Sequence, residues 1–583
     1  MERRALQSRA LAVASAEGSG TALALRAPEA SEAWVDLLHH EPLVTVDVEL
    51  LRQAVRFAFE SGDAGGLFLR AVDDAPTTES AWDPSTFAGS LFLPELLAAC
   101  FPIEVDKKRY EPSMTHLVRL LTHPTDDPRD VALRQDVLRE LAGDASLRRA
   151  LEETYVALRQ LRALLDERPM SPGETVRRKI EVLTAIKTFL DRADEGLAPA
   201  TSALSRLSTY AREVRQQDVY RRLSQLLEFD RDMARVEVRI VIGSDGKIRD
   251  FALLEARENT QNALARSPWR RLWSRLFAWM RGYRYGESEV LLKVVDEVFA
   301  SLEDVLLPCF ELIGHVELYL ASLGFRDRAR KEGLEVCLPE IVPTPAMDAP
   351  AGPLELEKLF NPLLLLQDIR PTPCDLVADG HDVITLITGP NSGGKTRFLQ
   401  ALSLAQLLAQ SGVFIPAASG RLTRAPTMFV SLVEGAPADQ KEGRLGSELV
   451  RVRQLFEHLE PGTLVVLDEL CSGTNPSEGI AIFEMVISLL PRLRPQVFVT
   501  THFLDAAREL EARRPVPRLR FLQVELRDDE TPTYQFVPGV APTSLAHQVA
   551  SRLGVTREEL EALVEQREDL LGVRSPALTK AAG

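Results

Sequence analysis

The stretch Gly389-Pro390-Asn391-Ser392-Gly393-Gly394-Lys395-Thr396 decides the fold of the chain around it. It fits the pattern G-x-x-x-x-G-K-[ST], a phosphate-cradling loop that lies between a strand and a helix. The apolar, β-branched run 383–388 before it predicts a buried strand, and the leucine-rich run 397–410 after it predicts a helix. In that context the backbone N–H groups of the loop and of the helix start point at phosphate oxygens. The sequence therefore predicts an α/β nucleotide-binding unit.

The loop also carries two side chains suited to a nucleotide and its metal. Lys395 would reach the β- and γ-phosphates, and the Thr396 hydroxyl would hold Mg²⁺. The cradle itself would be formed by Gly389, Pro390, Asn391, Ser392, Gly393 and Gly394. ATP and Mg²⁺ are therefore the expected cofactors.

A second motif ends in two carboxylates, Asp468 and Glu469, and Asp468 lies 73 residues after Lys395. An Asp-Glu pair is usually just solvated, but here it closes an apolar run, Leu464–Leu467, that predicts a buried strand. An Asp at the end of such a strand positions Mg²⁺ in nucleoside triphosphatases with this loop. The adjacent Glu is well placed to polarise water, which indicates hydrolysis rather than phosphotransfer.

A third predicted strand, at 497–502, runs into His502. Open α/β sheets bind ligands outside the carboxyl ends of their strands, so this histidine would hydrogen-bond the γ-phosphate or the attacking water. A lone histidine is more often structural, and the position after the strand favours the functional interpretation. The catalytic candidates are thus Lys395, Glu469 and His502, with Thr396 and Asp468 as metal ligands.

Together these motifs resemble the ATPase domain of the MutS family, a relative of the ABC ATPases. The resemblance rests on Gly-Pro-Asn at 389–391, Gly-Val-Phe-Ile-Pro at 412–416, Asp-Glu-Leu-Cys-Ser-Gly-Thr at 468–474 and the closing segment 538–555, and it covers about 354–560. The family usually has Met at the position of Ser392 and Ser at the position of Thr396. Both changes preserve the chemistry of the loop.

The resemblance implies a homodimer in which each subunit completes the other's site. Ser447, in the run 443–448, is the candidate for the contact with the partner's γ-phosphate. An ordinary helix N-cap at Ser447 is the alternative, and both could hold because an N-cap presents free N–H groups.

The N-terminal half is mainly helical by pattern, and two of its segments, 111–128 and 315–341, resemble the MutS lever, or core, domain. Between them, residues 236–254 predict a β-hairpin that turns at Gly-Ser-Asp-Gly. This hairpin is either part of a short DNA clamp within about 174–290 or a brace for the helices.

Residues 269–281 contain three of the five tryptophans, interleaved with arginines on a helical pattern. Such a basic amphipathic helix packs in a core, contacts DNA phosphates or lies on an anionic membrane surface. The sequence leaves these three alternatives open.

Composition bounds the remaining possibilities. The net charge of −16 argues against a globally basic nucleic-acid surface, although local basic patches remain compatible with it. The five cysteines are scattered, with no CxxC, which is typical of a reducing cytoplasm. No apolar run reaches about 18 residues, so no membrane span is expected.

The expected fold is multidomain: a mainly α-helical N-terminal lever/core region with a small β-hairpin insertion, followed by an α/β P-loop (ABC-type) ATPase domain. The expected divisions are a tail at 1–30, a helical region at 31–105, the lever/core at 106–345, the ATPase at 346–565 and a tail at 566–583. No mismatch-wedging Phe-x-Glu is present in the sequence, and neither an N-terminal mismatch-recognition domain nor a C-terminal Smr nuclease domain is expected.

The expected function is an ATP-dependent, dimeric DNA-binding switch that acts on mismatched or branched double-stranded DNA in repair or recombination. The alternative is an ATP-gated scaffold for a protein or membrane partner. An ABC transporter ATPase is disfavoured because the chain lacks Leu-Ser-Gly-Gly-Gln.

Overall fold

The computed structural model describes twelve ranges of the chain: 34–44, 46–62, 66–73, 80–166, 172–232, 236–242, 248–256, 287–345, 352–432, 443–471, 475–542 and 555–571. These residues form two compact units. Unit 1 comprises 1–80, 101–327 and 411–413, and unit 2 comprises 81–100, 328–410 and 414–583. The tryptophan- and arginine-rich segment 269–281 lies outside the described residues.

Helices dominate the first part of the chain, as the apolar spacing predicts. Their bounds are α1 Val48–Ser61, α2 Leu67–Asp73, α3 Ala88–Leu91, α4 Leu93–Cys100, α5 Met114–Thr122, α6 Pro128–Gly143, α7 Ala145–Asp166, α8 Pro172–Leu197, α9 Leu204–Gln216, α10 Asp218–Asp232 and α11 Glu287–Lys331. Asp127 shows how one of them starts: its carboxylate accepts from the N–H of Arg129, and Pro128 occupies the first helical position.

The 45-residue helix α11 supplies much of the core of unit 1. The sequence singles out only its end, within the segment 315–341, because Pro308 and the apolar residues on all sides of the helix hide the periodicity. Its portion Val295–Lys331 is long and apolar enough to cross a membrane, and 94% of its most apolar window is buried inside the structure. Residues such as Leu302, Leu312 and Val316 are fully buried there.

Two small antiparallel sheets accompany these helices. Strands β1 Ile103–Val105 and β2 Lys108–Tyr110 form one. Strands β3 Val236–Ile242 and β4 Ile248–Ala256 form the other, which confirms the predicted hairpin, although its turn lies outside the described residues.

Unit 2 contains a four-stranded and a six-stranded sheet. The smaller one has the order β5-β9-β6-β7, with β5 Glu340–Val342, β6 Pro353–Leu359, β7 Cys374–Asp379 and β9 Ser419–Thr423. The larger one has the order β10-β11-β12-β8-β13-β14, with β8 Val383–Thr388, β10 Met428–Ser431, β11 Leu464–Leu467, β12 Gln496–Thr500, β13 Leu519–Leu526 and β14 Pro532–Pro538. It is a mixed sheet, parallel from β10 to β13 and antiparallel between β13 and β14.

The helices of unit 2 after β8 are α12 Lys395–Gln410, α13 Gly443–His458, α14 Pro476–Leu489, α15 Leu504–Arg513 and α16 Arg557–Leu571. A buried apolar cluster joins the central strands to α13, α14 and α15. This packing fixes the positions of the strand ends, which is where the candidate site lies.

Residues 81–100 belong to unit 2 although they lie far ahead of it in sequence. The Thr86 hydroxyl donates to the carbonyl of Met428 over 2.7 Å, and the indole N–H of Trp82 donates to the carbonyl of Ala425 over 3.3 Å. The first contact lies on β10, which is the edge strand of the larger sheet, and the second lies just before that strand. The segment thus supplies donors to an edge that would otherwise stay unpaired.

Candidate functional site

The glycine-rich loop 389–394 joins β8 to α12 at the carboxyl end of a central strand. All six residues of β8 are buried, and α12 begins at Lys395, two residues earlier than the sequence pattern predicts. Gly389 and Gly394 have φ values of +140° and +83°, which residues with a Cβ rarely adopt. The strand, loop and helix therefore follow one another as the motif requires.

The loop is packed from one side by the strand pair β13–β14. A Cβ added to Gly389 would lie 2.7 Å from the Val524 side chain, and one added to Gly394 would lie 3.1 Å from the Tyr534 ring. The backbone can approach these neighbours only because both positions are glycine. Tyr534 is 44% exposed and so forms a partly open aromatic wall beside the loop.

Lys395 is buried, and its ammonium group donates to the carbonyls of Gly389 and Pro390 over 3.0 and 3.1 Å. Burial lowers the pKa of Lys395, and the nearby carboxylates of Glu469 and Asp468 act in the opposite direction. The lysine thus lies across the loop with two carboxylates close to it.

Thr396 and Asp468 lie in direct contact. The Thr396 hydroxyl donates to Oδ2 of Asp468 over 2.6 Å, and Asp468 is 7% exposed at the end of β11. Hydroxyl and carboxylate oxygens are the hard ligands that Mg²⁺ prefers. The two residues predicted as metal ligands are therefore brought together, and their chemistry fits the ion.

Glu469 follows Asp468 in a left-handed backbone conformation with φ of +48°. Such a conformation is uncommon for a residue with a side chain and often marks a functional turn. The amide of Glu469 donates to the Thr500 hydroxyl over 2.8 Å. The turn that carries the second carboxylate is thus tied to β12.

His502 is exposed just beyond the end of β12, with its ring 4.2 Å from the ring of Phe503. It lies at the same edge of the sheet as the loop and Asp468. Ser447 lies inside α13, which begins at Gly443, so the alternative of an N-cap at Ser447 is wrong. The Gly-Thr pair at 473–474 lies outside the described residues.

Sequence reasoning missed three residues around the site: Thr500, Tyr534 and Asn361. The Asn361 amide donates to the carbonyl of Arg397 and to Oε1 of Gln400 over 2.9 and 3.1 Å, and so holds the first turns of α12. The signal for Asn361 was its place directly before Pro362, since Asn followed by a first-turn proline is typical of a helix N-cap. Thr500 and Tyr534 gave no signal, because their contacts come from neighbouring strands.

Unit 2 is thus an α/β unit with a mixed sheet and a glycine-rich loop, and unit 1 is mainly helical. Comparison with known proteins agrees with that class: residues 385–570 match the family model for MutS domain V. Relatives named endonuclease MutS2 are 31% identical over 302 residues in Thermomicrobium roseum and 28% identical over 485 residues in Thermus thermophilus.

These alignments cover 50% and 80% of this chain, and 36% and 61% of the respective relatives. The family model and these relatives together support a MutS-family protein. It spans about a third to three fifths of the length of these relatives.

Proposed function

We propose that this chain is an ATP-dependent DNA-binding switch that hydrolyses ATP at the loop 389–396. The observation that carries the proposal is the contact between Thr396 and Asp468 beside Lys395, at the carboxyl edge of the larger sheet. That arrangement supports phosphate binding by the loop and metal binding by the hydroxyl–carboxylate pair. Bound Mg²⁺ would supply charge neutralisation on the β- and γ-phosphates.

Each residue of the site would have a separate role in binding and hydrolysis. Backbone N–H groups of 389–394 and the Lys395 ammonium would hold the phosphates, and Thr396 and Asp468 would hold the metal. Glu469 would accept a proton from the attacking water at a carboxylate oxygen. His502 would orient that water or the γ-phosphate. For phosphate to enter, the ammonium of Lys395 would exchange its two loop carbonyls for phosphate oxygens.

DNA is the proposed partner because the relatives are named endonucleases and match across 50% and 80% of the chain. An endonuclease acts on nucleic acid, so we propose that this chain binds DNA; we do not propose that it cleaves DNA. We further propose a cytoplasmic homodimer that acts on mismatched or branched duplexes, with Ser447 of one subunit near the γ-phosphate in the other.

The proposal is tested by retention of DNA on the Glu469→Gln protein, which should bind ATP and not hydrolyse it. Homoduplex, single-mismatch and four-way-junction DNA are offered with and without ATP, at several salt concentrations. We expect ATP-dependent retention of a distorted duplex, with a steep salt dependence from released counterions. Retention that is equal with and without ATP would contradict the switch, and no binding to any DNA would favour the scaffold alternative.

A further inference from the structure

Thr500 ends β12 and is fully buried, and its side chain has two partners at once. Its hydroxyl donates to Oδ1 of Asp468 over 2.5 Å and accepts from the amide of Glu469 over 2.8 Å. Both carboxylate residues of the candidate site are thus joined to one hydroxyl group.

The position of Thr500 in the sheet explains why its side chain takes this role. The ladder between β11 and β12 ends at the pair Leu467 and Val499, while Thr500 still pairs with Ile387 of β8. Beyond the pair of Leu467 and Val499, the Thr500 hydroxyl extends the connection between the two strands. That extension reaches the two residues that follow β11, Asp468 and Glu469.

The two oxygens of Asp468 have separate partners. Oδ1 accepts from Thr500, and Oδ2 accepts from Thr396 over 2.6 Å. Two donors on opposite oxygens fix the plane of the carboxylate. The Thr396 hydroxyl uses its only proton on Oδ2, so its lone pairs remain available to a cation.

The bond to Glu469 acts on the backbone. Glu469 has φ of +48° and Cys471 has φ of +60°, so the turn contains two residues with side chains in the left-handed region. L-residues disfavour this region, and such a turn persists only when surrounding contacts hold it. The Thr500 hydroxyl is one such contact, and it sets the direction in which the Glu469 side chain leaves the chain.

We propose that Thr500 is a positioning residue that orients Asp468 for the metal and Glu469 for the attacking water. This inference rests on the proposed ATP hydrolysis at the same site. The positioning role belongs to the hydroxyl group and not to the shape of the side chain. Valine has the same branching, yet it can neither donate to Asp468 nor accept from Glu469.

The test compares Thr500→Val, Thr500→Ser and Thr385→Val. Thr385 is the matched control, since it is 1% exposed on neighbouring β8 and its hydroxyl has no partner in the described part of the chain. Binding of Mn²⁺ in the presence of ATP, followed by electron paramagnetic resonance, reports the metal site directly. Binding of a fluorescent ATP analogue without metal, and the Mg²⁺ dependence of kcat and KM, complete the comparison.

For Thr500→Val we expect metal-free nucleotide affinity within about twofold of wild type, because loop contacts remain. We expect the Mn²⁺ and Mg²⁺ concentrations for half-saturation to rise about tenfold and kcat to fall at least tenfold, as for loss of a hydrogen bond to a charged group. Thr500→Ser should recover most of both losses, and Thr385→Val should match wild type.

Wild-type metal affinity and kcat in folded Thr500→Val would overturn the inference, and so would equal losses in Thr385→Val. If Thr500→Val does not fold, Thr500→Ala is measured against the same expectations. Wild-type protein that binds no Mn²⁺ with ATP would instead contradict the proposed function, before any variant is compared.

Discussion

His116 shows how a single residue of unit 1 makes stability depend on pH. It is 2% exposed, and its Nε2 has no partner among the described residues. Burial, and then the charges of Arg119 and His315, lower its pKa from 6.5 to about 3. Below pH 6.5 the unfolded chain therefore takes up a proton that the folded chain does not, and stability falls with pH.

We predict that this histidine costs wild-type protein about 2 kcal/mol of unfolding free energy between pH 6.5 and pH 5, at about 1.4 kcal/mol per pH unit. His116→Leu removes this pH-dependent loss. The unfolding free energy of the variant should therefore rise by about 2 kcal/mol relative to wild type between pH 7.5 and pH 5. Urea unfolding at both pH values measures the gain. Parallel pH profiles for the two proteins would show that His116 already takes its proton in the fold.

Among the secondary-structure elements, the sequence predicts correctly those whose own residues carry a clear local pattern. The strands β8 and β11 are short buried apolar runs next to polar residues, and the structure has them at the expected positions. Sequence reasoning failed where an element packs against a segment that is distant in the chain. Residues 81–100 contact strand β10, more than 300 positions away, and no local pattern predicts that pairing. Helix α11 was missed over most of its length because its apolar residues lie on all sides.

We expect the segment 81–100 to contribute to the stability of unit 2. Trp82 is 2% exposed and its indole contacts Ala425, just before β10, so Trp82→Ala should leave a large cavity and destabilise the protein by about 3–5 kcal/mol. Phe57→Ala, at a side chain that is 50% exposed, is the control and should change stability by less than about 0.5 kcal/mol. Thermal unfolding compares them. Equal, small shifts in both variants would mean that the segment is not part of the folded unit.

The whole molecule divides into two units, and the proposed nucleotide site lies in unit 2. A ligand that binds only the folded state stabilises by about 2.7 kcal/mol at one hundred times its Kd. We therefore predict that Mg²⁺ and ATP raise the thermal midpoint of the Glu469→Gln protein as nucleotide concentration rises. Adding Lys395→Ala to that protein should abolish the shift, since the lysine holds the phosphates. An undiminished shift in the double variant would place the nucleotide elsewhere.

The most direct test of the central claim is steady-state ATP hydrolysis by the purified protein, with and without Mg²⁺, beside its Glu469→Gln variant. We predict Mg²⁺-dependent hydrolysis by wild type and a loss of about 10²–10⁴-fold in the variant, which keeps its nucleotide affinity. Lys395→Ala serves as the control for contaminating ATPases and should not hydrolyse ATP. Hydrolysis by Glu469→Gln at the wild-type rate, or none by wild type in the presence or absence of DNA, would contradict the account.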